Sequence, residues 1–107
     1  MDKKELRLEF EYAVRPYKNE HGDCYELTVK PSGDMKSLFP VNFERALQSS
    51  AKMPLHSSFC IAAMALKEGA QMRAQAQGMD VRFSEQAYFK DKDGNETAVK
   101  PATINLH

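Results

Sequence analysis

Little in this chain is in excess, and each shortage removes a class of function. Net charge is missing: fifteen Lys and Arg balance fifteen Asp and Glu. Non-specific affinity for nucleic acid needs clustered cations, so the balance excludes a dominant phosphate-binding surface, and equally an acidic nucleic-acid mimic. Long apolar runs are missing too. The longest, Phe59 to Leu66, is eight residues and rich in alanine, whereas a membrane helix needs about 18 to 20. The opening Met1-Asp2-Lys3-Lys4-Glu5 leads into an alternating segment, so no secretory signal is expected. Cysteine is scarce, with only Cys24 and Cys60 in different segments. Two such residues make no disulfide framework and read as reduced thiols in a cytoplasmic protein. The five glycines are scattered, and neither G-x-G-x-x-G nor the P-loop occurs.

What remains is an ordinary globular chain. Its 107 residues fit a single domain, 1–107, that can bury a core without disulfides or metal. With 42% hydrophobic and 28% charged residues, disorder is not expected.

The clearest pattern is a symmetry of turns. Tyr17-Lys18-Asn19-Glu20-His21-Gly22-Asp23 precedes Glu26-Leu27-Thr28-Val29-Lys30-Pro31, and Phe89-Lys90-Asp91-Lys92-Asp93-Gly94-Asn95 precedes Glu96-Thr97-Ala98-Val99-Lys100-Pro101. The two align only with a gap at Cys24-Tyr25, and ordinary turn chemistry explains the likeness more simply than duplication.

Residues 5–17 alternate, with Leu6, Leu8, Phe10, Tyr12 and Val14 on one face and Glu5, Arg7, Glu9, Glu11 and Arg15 on the other. That is a half-buried strand, weakened near its end by Pro16. Matching its apolar face to Tyr25, Leu27 and Val29 requires paired residue numbers with an odd sum. A sum of 41 pairs Tyr12 with Val29 and Val14 with Leu27, and sets Arg15 against Glu26 and Glu11 against Lys30. In the second hairpin, a Lys92-Asp93-Gly94 loop pairs Phe89 with Thr97, Ala87 with Val99 and Lys90 with Glu96. On the strand preceding that loop, Met79, Val81, Phe83, Ala87 and Phe89 share parity and Glu85 breaks it.

Between the hairpins, Leu38-Phe39 lies in a linker, and Asn42 is the expected cap of a short helix with Phe43, Ala46 and Leu47 as its stripe. Ser57 or Ser58 caps a long helix ending at Gly78. Its first half is apolar all round; its second, from Lys67 to Gln77, is amphipathic and expected to protrude. Gly69 within it costs about 1 kcal/mol relative to alanine. The fold class is therefore α+β, two-layer, with antiparallel hairpins at about 5–30 and 79–106 bracketing helices at about 42–52 and 57–77.

No catalytic residue, metal ligand set or cofactor motif emerges. Cys60 sits in the first turn of the long helix, near His56, but its apolar neighbours favour a buried thiol over a nucleophile. His21, Asp23 and Cys24 share a turn without the paired spacings of a zinc site. Asp91 to Glu96 resembles a calcium loop only superficially: with Gly94 at position six, Phe89 and Lys100 fall where carboxylates belong.

The residues favour a small cytoplasmic binding or regulatory protein, of bacterial or phage accessory type, working without cofactor through protein contact. The partner is another protein or a second copy, reached through the long helix at Ala70, Met72, Arg73 and Ala76, or through an edge strand. The alternative is a single-stranded nucleic-acid binder using Arg82, Tyr88 and Lys90 on the outer sheet face. A third reading, an enzyme with a site at a dimer interface, has no residues that name a substrate. No membrane role is expected.

Overall fold

A computed structural model describes residues 4–104. The chain is α+β, as the patterning predicts. Strands β1 (Lys4–Asn19), β2 (Gly22–Pro31) and β3 (Arg45–Ser50) precede the helix α1 (Leu55–Ala76), and β4 (Val81–Lys90) and β5 (Glu96–Val99) follow it. A single 3-10 turn, Gly33–Ser37, links β2 to the segment before β3. The strands form one five-stranded sheet in the order β3-β2-β1-β4-β5. All neighbours are antiparallel except β1 and β4. That parallel contact requires a crossover, which α1 supplies by carrying the chain from the β3 edge to the far side of β1.

Both hairpin registers are those read from the sequence. Tyr12 faces Val29, Val14 faces Leu27, Arg15 faces Glu26 and Glu11 faces Lys30. Phe89 faces Thr97, Ala87 faces Val99 and Lys90 faces Glu96. The first ladder runs past Pro16 to Asn19 and Gly22, so the proline does not weaken it. The reason is direction. Glu9 accepts from the Ser32 N–H on the β2 side, whereas the Leu8 N–H donates to Ser84 of β4. Odd-numbered backbone groups of β1 therefore address β2, and the even-numbered Pro16 turns its nitrogen away from that ladder. At about 3.3 Å per residue, the 16 residues of β1 span about 53 Å, which accounts for the 52 Å long axis of the molecule.

The parity break at Glu85 is a bulge. Between Leu6 opposite Phe83 and Leu8 opposite Ala87, β4 takes four steps where β1 takes two. The Ser84 hydroxyl accepts from Leu8 N–H and donates to Gln86 C=O, closing the gap. An even number of extra residues restores the inward face at Ala87 and Phe89.

The short helix expected over 42–52 does not form; residues 45–50 are the edge strand β3. Its i, i+3, i+4 stripe of Phe43, Ala46 and Leu47 is matched by a period-two pattern that sends Leu47 and Ser49 inward. The odd-numbered backbone groups of β2 offer a ladder that a short isolated helix cannot rival. The long helix starts at Leu55, earlier than the serines suggest, with Pro54 as its N-cap and Pro54 C=O accepting from Ser57 and Ser58 N–H. It ends in a Schellman motif: Gly78 N–H reaches Gln75 C=O, Met79 N–H reaches Ala74 C=O, and Gly78 adopts φ +69°.

The core lies between one sheet face and α1. Leu6, Leu8, Phe10, Leu27, Val29 and Phe89 meet Phe59, Ala62, Ala63 and Leu66 of the helix. Phe59 stacks on Phe89 at 4.7 Å, Phe10 lies 5.7 Å from Phe89, and Tyr12 meets Phe59 edge-on. The second half of α1 does not protrude bare. The 3-10 turn buries Met35 and the segment after it wraps Leu38 and Phe39 into the core, and Ala70 and Ala74 are buried. Phe89→Ala removes the ring shared by β1, β4 and α1 and is expected to lower stability by about 3–5 kcal/mol in urea titration; a loss below about 1 kcal/mol would show that the stack contributes little.

Candidate functional site

The expected helix contact residues do not share one surface. Ala70 is wholly buried. Arg73 lays its guanidinium 4.6 Å from the Phe39 ring and 5.6 Å from that of Phe43, and donates to Gly69 C=O. A Cβ on Gly69 would stand 3.0 Å from Arg73 Nη1, so the glycine makes room for this cap. Met72, at 70% exposure, and Ala76 remain open to solvent.

Arg82, Tyr88 and Lys90 do reach one face, the solvent side of the sheet, but carboxylates are interleaved with them. Arg82 pairs with Glu5 at 3.0 Å. Arg7 pairs with Glu96 and sits 3.9 Å over the Tyr88 ring, covering its face. Lys90 lies in register between Glu11 and Glu96. Across β1 and β2, Lys30 meets Glu11 and Arg15 meets Glu26, each at 3.4 Å. These exposed pairs each contribute about 0–1 kcal/mol to stability, yet together they neutralise the face locally. Depressions of about 330 and 480 Å³ flank Glu11 and Lys30, and both carry side chains of either sign.

Nucleophiles and ligands are dispersed. Cys60 is 7% exposed within the core, and its carbonyl accepts from Ala102 N–H. His21 is exposed at its turn beside Glu20. Among the described residues no three His, Cys, Asp or Glu side chains converge on a point. In the second turn, loss of hydration alone would raise the Asp91 carboxyl, but hydrogen bonds from the Asn95 N–H and side-chain amide and from the Asp93 N–H hold it below its ordinary value.

The feature that stands out is the margin of the sheet at β3. A half-buried polar cluster fixes it from beneath. Ser58 of α1, 1% exposed, places its hydroxyl 2.5 Å from Tyr25 of β2 and 3.0 Å from Ser49 of β3. The Tyr25 hydroxyl also lies 2.9 Å from Met53 C=O, to which it donates. Each member is satisfied by another, so the cluster locks the strand to its neighbours without offering a reactive group. On the other side of β3 no strand pairs among the described residues. Ala51 N–H donates to Asp23 of β2, so odd-numbered groups face inward along the ladder and those of Ala46 and Gln48 and the N–H of Ser50 face out, while the Ser50 C=O accepts from Met53 N–H in the turn that follows.

Two other edges are open among the described residues, and both carry guards. The half of β1 beyond Glu11, where β4 leaves off, has Pro16 in its outward row, with Arg15 and Lys18 beside it. The β5 edge is four residues long and is followed by Lys100 and Pro101. β3 starts at Arg45 and is followed by Lys52 and Pro54, but from Ala46 to Ser50 it has no charge, no proline and no bulge. Sequence reasoning missed this edge because it read the segment as helix; the alternation of Leu47 and Ser49 was the only local signal.

No protein-family model matches the chain, and neither the curated proteins nor the solved structures contain a match to it. Asp91 generates a pH prediction. A carboxyl held below its unfolded value contributes stability that is present above that value and lost as pH falls through the lowered one. Asp91→Asn should therefore flatten the decline in urea midpoint below about pH 4; parallel wild-type and variant curves would remove Asp91 from the acid transition.

Proposed function

We propose that this protein is a small binding or regulatory module that acts through protein contact, taking an extended segment of its partner alongside β3. The observation that carries this reading is the uncharged outward row of Ala46, Gln48 and the Ser50 N–H, backed by the Tyr25–Ser58–Ser49 hydrogen bonds. An added strand satisfies backbone donors and acceptors that no neighbouring strand takes among the described residues, and a preset edge lowers the ordering entropy of docking. The interleaved carboxylates of the solvent face support this reading over single-strand nucleic-acid binding, because they leave a phosphate backbone little local positive potential.

The outward direction of the Gln48 N–H provides the test. Gln48→Pro removes a donor from the open edge and none from the β2 ladder. Tagged wild type, Gln48→Pro and Met72→Glu are compared in pull-downs from nuclease-treated lysate, with circular dichroism confirming that each is folded. Proteins recovered by wild type and Met72→Glu but lost with Gln48→Pro are expected. Recovery unaffected by Gln48→Pro, or lost with Met72→Glu, would move the contact to the helix and overturn the edge reading.

A further inference from the structure

Among the described residues, one buried side-chain polar atom has no hydrogen-bond partner: the hydroxyl of Ser32, a residue 6% exposed. A hydroxyl in that state destabilises the fold unless water or an ion completes it. Its surroundings are set by the sheet. Ser32 N–H donates to Glu9 C=O at 3.0 Å, which continues the β1–β2 register and sets Ser32 directly opposite Glu9. Opposite residues of an antiparallel pair place their side chains on the same face, with Cβ atoms about 4.5–5.5 Å apart. The Glu9 side chain then folds over the residue after Ser32: a Cβ at Gly33 would collide with Glu9 Oε2. The next residue, Asp34, turns its carboxylate to β1 as well, where Oδ2 accepts from Arg7 N–H at 2.9 Å. The enclosed hydroxyl thus lies beside the Glu9 carboxylate, with the Asp34 carboxylate in the same turn.

Charge decides what completes it. Neither Glu9, which is half-buried, nor Asp34 enters an ion pair among the described residues. The neighbouring cations are engaged elsewhere. Arg7 turns across β1 to Glu96 and the Tyr88 ring, and Lys30 pairs with Glu11. Water would satisfy the Ser32 hydroxyl and leave both carboxylates uncompensated. A divalent cation offsets both and takes a lone pair of the hydroxyl. We infer that this turn binds a hard divalent cation, calcium or magnesium, through the side-chain oxygens of Glu9, Ser32 and Asp34, with water filling its remaining positions. Two adjacent carboxylates alone would not make such a site; the orphaned hydroxyl beside them does. An all-oxygen donor set suits these cations and not zinc or copper, which prefer nitrogen and sulfur. With only two carboxylates, affinity falls in the weak range, about 0.1–1 mM. The bound cation would tie β1 to the turn that leads Leu38 and Phe39 into the core. This site stands whether or not β3 takes a strand.

The test is a titration of the isotope-labelled protein with calcium chloride and, separately, magnesium chloride to about 20 mM, above the expected affinity range, against potassium chloride of equal ionic strength. Amide resonances are followed by NMR. Those of Arg7, Gly33 and Asp34 are expected to shift and saturate with at least one of the two cations, and the arm that saturates at lower concentration names the preferred one. Glu9→Gln and Asp34→Asn keep side-chain size and an oxygen acceptor, and each should weaken binding about tenfold; Ser32→Ala should weaken it about three- to tenfold. Urea unfolding separates a ligand from damage to the fold. In potassium chloride, Ser32→Ala should be as stable as wild type or more so, because it removes an unpartnered hydroxyl. With the divalent cation present, wild type should gain stability that Ser32→Ala does not. No shift beyond the potassium control in either arm overturns the inference and leaves water as the hydroxyl's partner. Shifts of equal size at the exposed carboxylates of Glu20 and Asp93, or binding that ignores Glu9→Gln and Ser32→Ala, show only diffuse attraction of cations and overturn it as well.

Discussion

The backbone of β1 turns its odd-numbered groups to one side and its even-numbered groups to the other, and each row must be paired or left to water. On the odd side, β2 takes the distal half, while Ser32 and Asp34 take Glu9 C=O and Arg7 N–H of the proximal half. On the even side, β4 takes only the proximal half. The sheet is therefore staggered about one long strand. Because β4 runs parallel to β1, the chain must return along the molecule before it can pair, and a helix of 22 residues spans that return while covering the core. The helix is rich in alanine where it meets the sheet, at Ala62, Ala63 and Ala70, which leaves room for the large rings of Phe10, Phe59 and Phe89 at one level.

That geometry explains which parts were legible in the sequence. The hairpins were, because each pairing is local and two signals agree in each: matched apolar faces, and opposite charges across the strands. Glu85 was legible as an exception but not as a bulge, since its cause lies in the N–H of Leu8, far away in sequence. β3 was not legible. Its six residues hold one large apolar side chain, Leu47, and what makes them a strand is the unused row of β2, which no local pattern reveals. The wrap of Met35, Leu38 and Phe39 under α1 was hidden for the same reason: a short apolar pair in a linker does not announce the helix it covers. Ser57 and Ser58 marked the right region for the helix start, but Pro54 takes the cap and Ser58 turns its hydroxyl to Tyr25 and Ser49.

The candidate site inherits this division. Arg82, Tyr88 and Lys90 were placed correctly on one face by parity alone, whereas their neighbours Glu5 and Arg7 became partners only through the β1–β4 pairing. Ala70, Met72, Arg73 and Ala76 look like a stripe in the sequence, but the covering segment takes Ala70 and Arg73 and leaves Met72 and Ala76.

The distribution of guards along the edges follows from the same strand. Where β1 outruns β4, its free row would template another chain along several residues, and that row carries a proline flanked by cations. Where β5 ends the sheet, the strand is too short to template much. β3 keeps a short free row at Ala46, Gln48 and the Ser50 N–H, and the half-buried hydroxyl cluster of Tyr25, Ser49 and Ser58 lies directly behind it. A hydroxyl cluster in a core of this size needs every member satisfied, or it destabilises the fold relative to apolar residues. Here it holds an exposed strand in a fixed position on three elements at once. The core beneath is already closed by Phe59, Phe89 and the alanines of α1, so the cluster's contribution lies at the edge. It is this contrast between a closed core and an open edge that supports the proposed addition of a strand there.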